Sequence, residues 1–106
     1  MRKILIIGIA TLLLGACAQN KYLQEGKNNF QAKNYSAAMV DLLPQAANGN
    51  SDAQYAVGWM YFYGRGITQD QAVGKNWIDQ AAAQGNIPAI RAKTAIERQA
   101  EKNSAK

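Results

Sequence analysis

The chain has 106 residues, with twelve lysines and arginines against seven carboxylates, one cysteine and no histidine. It has room for one small domain, cannot close an internal disulfide, and lacks both the commonest general base and the commonest transition-metal ligand. The formal charge of +5 falls to about +3 once Arg2 and Lys3 are set apart, too weak and dispersed to argue for nucleic acid.

The first residues read as an export leader. Basic Arg2 and Lys3 precede an apolar run from Ile4 to Leu14, followed by Leu14, Gly15, Ala16 and Cys17. The run is shorter than the ~20 apolar residues a bilayer span requires. The Leu-Gly-Ala-Cys quartet resembles the lipobox of bacterial lipoproteins. That resemblance implies a signal peptide over 1–16, cleavage between Ala16 and Cys17, diacylglycerol on the Cys17 sulfur and a further acyl chain on the new amino terminus. Several acyl chains together anchor durably where one would not. With Ala18 rather than Asp after the cysteine, the resemblance further implies the periplasmic face of a Gram-negative outer membrane, or the cytoplasmic membrane of a Gram-positive host.

A short lipidated tether over 17–21 leads into the body of the chain. Tyr22, Leu23, Gly26 and Phe30 mark one face of a first helix from about Asn20 to Ala32, with Gly26 allowing a neighbour to approach closely. Asn34 is placed to cap a second helix, from about Tyr35 to Asn48, which uses Ala38, Met39, Leu42, Leu43 and Ala46. Pro44 removes a backbone donor and crowds the preceding turn, which predicts a kink or an early end. Gly49 stops this helix, and Ser51 with Gln54 has the spacing of a capping box for a third, Ser51 to Tyr63. The third helix is rich in aromatics: Tyr55, Trp59, Tyr61, Phe62 and Tyr63.

The corner Gly64-Arg65-Gly66 provides backbone angles that other residues avoid. No strand precedes it, so it lacks the context of a phosphate cradle. Asp70 caps a fourth helix from about Gln71 to Gln84, with Ala72, Val73, Trp77, Ile78, Ala81 and Ala82 along one stripe. Gly85 ends it, and Pro88 sits in the tolerated first turn of a fifth helix, read as a capping helix over 87–100. Residues 101–106 read as a polar, fraying tail.

Shifting the chain by 36 places AANGNSDA at Ala46 to Ala53 over AAQGNIPA at Ala82 to Ala89, with five of eight positions identical. Such a period signals stacked supersecondary units, each covering its neighbour's open face. Ala53, Gly58, Tyr61, Gly64, Gly66, Asp70, Ala72, Trp77, Ala81, Ala82 and Gly85 carry the resemblance to the Sel1-like repeats, a branch of the tetratricopeptide-like helical repeats. The resemblance implies an all-α superhelix of about five short antiparallel helices, with a tetratricopeptide-like opening hairpin over 22–50 and the repeat itself over 51–86. Gly74 stands where the family usually has Ala, and Phe62 and Tyr63 where it more often has small or polar residues.

No catalytic constellation emerges. Of the carboxylates Glu25, Asp41, Asp52, Asp70, Asp79, Glu97 and Glu101, Asp52 and Asp70 fit helix starts and the others fall on outward faces. No acidic cluster has calcium-loop spacing, and the serines lack a base to activate them. The expectation is a non-enzyme without metal or cofactor. Its surface would be a concave side built by the first helix of each pair, from Gln24, Asn28, Gln31, Gln54, Tyr55, Trp59, Phe62 and Arg91, suited to a peptide or a partner's helix. Trp59 and Phe62 are open between core and groove; Trp77 is expected in the core with Val73 and Ala81. These readings point to a membrane-tethered adaptor or assembly factor for an envelope complex, such as a secretion or pilus system. The alternatives are a structural subunit that stacks on its own copy or on a larger complex, and a regulator of cell-wall enzymes.

Overall fold

A computed structural model describes residues 20–105. The leader, the cleavage pair Ala16 and Cys17, and the start of the tether lie outside those residues. Among the described residues there are only helices, turns and bends. Helix α1 covers residues 20–31, followed by α2 (Tyr35–Ala47), α3 (Ser51–Tyr63), α4 (Gln71–Ala83) and α5 (Ile87–Ser104). Each packs against its chain neighbour, α3 on α2 and on α4, and α4 on α5, which is an α-α superhelix of the tetratricopeptide-like kind. No described helix is long and apolar enough to cross a membrane.

The ends of the helices follow from side-chain chemistry. Asn50, Asp70 and Asn86 each accept a hydrogen bond from the backbone N–H three residues on, at Ala53, Val73 and Ala89. This satisfies a donor that the first turn would otherwise leave without an intrahelical partner. Asn50 therefore caps α3, one residue before the expected Ser51, and the expected capping box does not form: the third helical residue is Ala53, and the Gln54 side chain is bonded elsewhere. Asn50 and Asn86 are one repeat period apart, as are Gly49 (φ +98°) and Gly85 (φ +87°) in the corners before them. Asn34 occupies the cap position of α2 without a side-chain bond. Its carbonyl still accepts from the Ala38 N–H at 2.9 Å.

Pro44 does not end α2: the helix continues to Ala47, and the Pro44 carbonyl accepts from the Asn48 N–H. Pro44 lies on the outward face, as does Val40, whose carbonyl loses its donor to the proline. Water can take the place of the missing bond there. The chain end also differs from expectation. Helix α5 runs on through Glu101 to Ser104, where a fraying tail was expected, with the Ser104 hydroxyl donating to the Ala100 carbonyl at 2.9 Å.

The core is built from small and medium side chains. One cluster joins Ala38, Met39, Leu42 and Ala46 of α2 to Ala53, Ala56, Val57 and Met60 of α3. A second joins Ile78 and Ala81 of α4 to Ala89 of α5. Small residues let the helix axes come close, and glycine carries this furthest. A Cβ on Gly26 would lie 2.6 Å from the Leu42 side chain, and one on Gly58 2.8 Å from that of Ile78. Leu42 and Ile78 are one period of 36 apart, so each hairpin seats a branched residue of its second helix against a glycine of its first. The first hairpin turns more tightly, through Lys33 at φ +65°, where the second uses Gly64 and Gly66 at φ +66° and +72°.

Candidate functional site

Helices α1, α3 and α5, the first helix of each unit, enclose a groove of about 230 Å³ lined by Lys27, Phe30 and Gln31, by Asp52, Tyr55 and Ala56, and by Pro88. Its rim is held by the Lys27 ammonium, which donates to an Asp52 carboxylate oxygen at 3.1 Å, while the other oxygen accepts from the Asn86 amide at 2.8 Å. The three helices are thus tied at one corner of the groove. The Lys27–Asp52 pair is well exposed, so its value is in orienting side chains rather than in stability.

Phe30 belongs both to this groove and to a run of aromatic rings beside it. Its ring lies edge-on to Trp59 at 5.4 Å and to Tyr35 at 5.9 Å, and Trp59 continues to Tyr35 at 5.6 Å and Tyr63 at 5.1 Å. Tyr63 then meets Phe62 at 5.0 Å. Offset and edge-to-face contacts at these distances are the favourable ones for aromatic pairs. Trp59 is half-buried: it packs on the main core cluster on one side and is open on the other, so it belongs to both core and surface. Tyr63 is 51% exposed. Burial first, and the Tyr63 hydroxyl second, push the Tyr55 phenol above the ordinary tyrosine value.

The residues expected to share one concave face separate. Gln31 and Tyr55 line the groove, and Trp59 adjoins it through Phe30. Gln24 and Asn28 are exposed on α1 and hydrogen-bond to each other at 3.0 Å, and Arg91 is exposed on α5. Gln54 is not a surface residue at all, being 4% exposed. Its amide donates to the Ala46 carbonyl at 3.2 Å and its side-chain oxygen accepts from Gln84 at 2.8 Å. Gln84 also donates to the Gly49 carbonyl at 2.9 Å, so a polar network joins the two corners before α3 and α5. Phe62 turns away from the α1 side, toward α4 and α5, where it lines a different cleft.

Lys27, Phe30, Asp52, Ala56 and Pro88 join the groove from outside the expected set. The sequence puts Phe30 on the apolar stripe of α1 and Pro88 in a helix start, and neither position says which helix lies opposite. Tyr63 did leave a signal, as a large ring where small or polar residues are usual.

Of the repeat positions, Ala53, Gly58 and Ala81 are buried, Tyr61, Trp77 and Ala82 are half-buried, and Gly64, Gly66 and Gly85 take positive φ at corners. Val73, the expected partner of Trp77, is 37% exposed. Among the described residues no three His, Cys, Asp or Glu side chains are grouped to hold a metal ion. No solved structure matches the chain significantly. No described feature argues against the match that the sequence itself gives: residues 51–86 fit the family model of the Sel1 repeat, a module that generally mediates protein–protein binding, and this stretch of the chain is a Sel1-like repeat.

Proposed function

We propose that the protein is a non-catalytic, lipid-anchored adaptor of the bacterial envelope, which holds a partner protein in the groove between α1, α3 and α5. The reading is carried by one observation: Phe30 and Tyr55 line an open groove whose wall continues into the half-exposed rings of Trp59 and Tyr63. Aromatic rings fixed by their neighbours supply contact area at small entropic cost, the usual character of a binding hot spot. The repeat is a protein-interaction fold, which favours recognition over reaction. The lipobox-like Leu14 to Cys17 supports a membrane tether at the outer membrane, and the assembly of a secretion or pilus complex is one role such an adaptor would serve.

Crosslinking in intact cells, read by mass spectrometry, tests this reading. A photo-reactive residue at Gln31 should capture a defined envelope protein, and Tyr55→Ala or Phe30→Ala should abolish capture while the melting temperature drops only modestly. Capture that survives both substitutions would place the partner elsewhere. Cys17→Ser should end acyl labelling and release the protein from membranes; unchanged retention would sink the anchor.

A structural role through stacking is the second reading, supported by Ile87 and Ile90 of α5, which are 57% and 40% exposed. Ile90 lies one period from Gln54, on the side of the helix that in α3 faces the following helix. Sedimentation of the protein decides it: a strictly monomeric chain excludes stacking on its own copy.

A further inference from the structure

A second cleft, of about 570 Å³, opens at the other end of α3. Phe62 and Tyr63 of α3, Gln71, Ala72 and Lys75 of α4, and Ala95, Ile96, Gln99, Ala100 and Asn103 of α5 line it. Its origin is the length of α5. Helices α2 to α4 have 13 residues each and α5 has 18, so the face of α5 that buries Ala89 and packs Ala92 and Ile96 on the core continues as Gln99, Ala100 and Asn103. That continuation is exposed. We infer that this cleft docks an amphipathic helix of a partner protein, one whose apolar stripe is flanked by carboxylates.

Three features identify the occupant. The floor combines aromatic rings with Ala72, Ala95 and Ala100, and small residues there allow a helix axis to approach to the ~8–10 Å of ordinary helix packing. Lys75 is the one charged residue in the lining. At 100° per residue, Lys102 lies on the flank of α5 beside Ala95, whereas Glu101 points to the far side and Glu97 is engaged with Lys93. Lys75 and Lys102 have no ion pair among the described residues, and the lining holds a cation and no carboxylate, while Asp79, one turn from Lys75 on α4, and Glu97 share Lys93 outside it. The amides of Gln71, Gln99 and Asn103 on the rim suit the polar flank of a helix. An acyl chain would cover them without offering hydrogen bonds in return. A second copy fits less well than an acidic partner, because the body of the chain is itself cationic.

The inference is separate from the groove of α1, α3 and α5, and its test reads out separately. Two labelled synthetic helices, with the same leucine stripe but glutamate flanks in one and lysine flanks in the other, are titrated by fluorescence anisotropy against the full-length chain in a mild non-ionic detergent. The glutamate helix should bind and the lysine helix should not, with affinity falling as salt is raised. Lys75→Glu with Lys102→Glu should weaken the glutamate helix by about tenfold or more and admit the lysine helix. Lys21→Glu with Lys33→Glu, an equal change in net charge on the α1 side, should leave both titrations unchanged. Circular dichroism checks that the exposed substitutions keep the helices. Binding of neither helix, equal binding of both, or equal loss in the two double variants overturns the inference. So does loss on Gln31→Arg instead of on the charge reversal, a result that leaves the proposed function standing. Vesicles of phosphatidylglycerol and phosphatidylcholine, or self-association in sedimentation, that respond to the Lys75 and Lys102 reversal while the peptides do not would assign the cleft to a membrane or to a second copy.

Discussion

Gly58 and Gly74 lie backbone against backbone: a Cβ on Gly58 would stand 2.7 Å from the Gly74 carbonyl oxygen, and one on Gly74 2.6 Å from the Gly58 carbonyl oxygen. The α3–α4 crossing therefore has no room for a side chain on either helix, and Gly74, unusual for the family, marks tighter packing here.

Gly58→Ala and Gly74→Ala should each destabilise the fold by about 1–3 kcal/mol or somewhat more, because the obstructing atoms are backbone and cannot rotate away. Gly49 provides the contrast, with φ +98° and nothing within 4 Å of a Cβ. There the cost of alanine is conformational, about 1–2 kcal/mol, and asparagine should recover part of it. At positions 58 and 74 asparagine should be worse than alanine. Chemical denaturation of the six variants separates the two causes.

Gln54 should behave as a structural residue. Gln54→Leu removes one of the bonds to the Ala46 carbonyl and one of the two made by the Gln84 amide, each of which keeps a partner in the Gly49 backbone, so the expected cost is about 0.5–1.5 kcal/mol per hydrogen bond lost. Combining it with Gln84→Ala should cost less than the two single changes added together, by about 0.5 kcal/mol or more, since they share one network. Strict additivity in a double-mutant cycle would contradict the coupling.

The caps should divide by whether the side chain is used. Asp70 accepts from the Val73 N–H at 3.1 Å, so Asp70→Ala should cost about 1 kcal/mol. Asn34 makes no side-chain cap bond, and Asn34→Ala should fall within about 0.5 kcal/mol of the parent. Equal losses at both positions would show that cap identity is read another way.

Tyr55 gives the fold an alkaline weakness. Its phenol is raised above the ordinary 10.0 by burial and by Tyr63. In the unfolded chain the proton leaves from about pH 10 upward while the folded state still holds it, so stability should fall as pH rises through that range. Below it Tyr55 contributes no pH dependence. Tyr55→Phe should flatten the alkaline slope of the denaturation midpoint, and an unchanged slope would assign it to other groups.

What was legible in the sequence was what neighbouring residues decide among themselves. The apolar spacing marked every helix, Asp70 and the corner glycines marked the breaks, and the 36-residue echo paired Ala46 to Ala53 with Ala82 to Ala89. Such signals act over one or two turns and survive without knowledge of what lies opposite. Only the tertiary structure assigned the sides of α3. That helix has other helices around most of its circumference, so one apolar stripe could not rank Gln54, Trp59 and Phe62. The crossing positions of α1, α4 and α5 sent Gln54 into the corner network, Trp59 to the rings of Phe30 and Tyr35, and Phe62 to the second cleft. Those positions depend on how closely glycine lets backbones meet and how far each helix slides along its neighbour, a property of residues far apart in the chain.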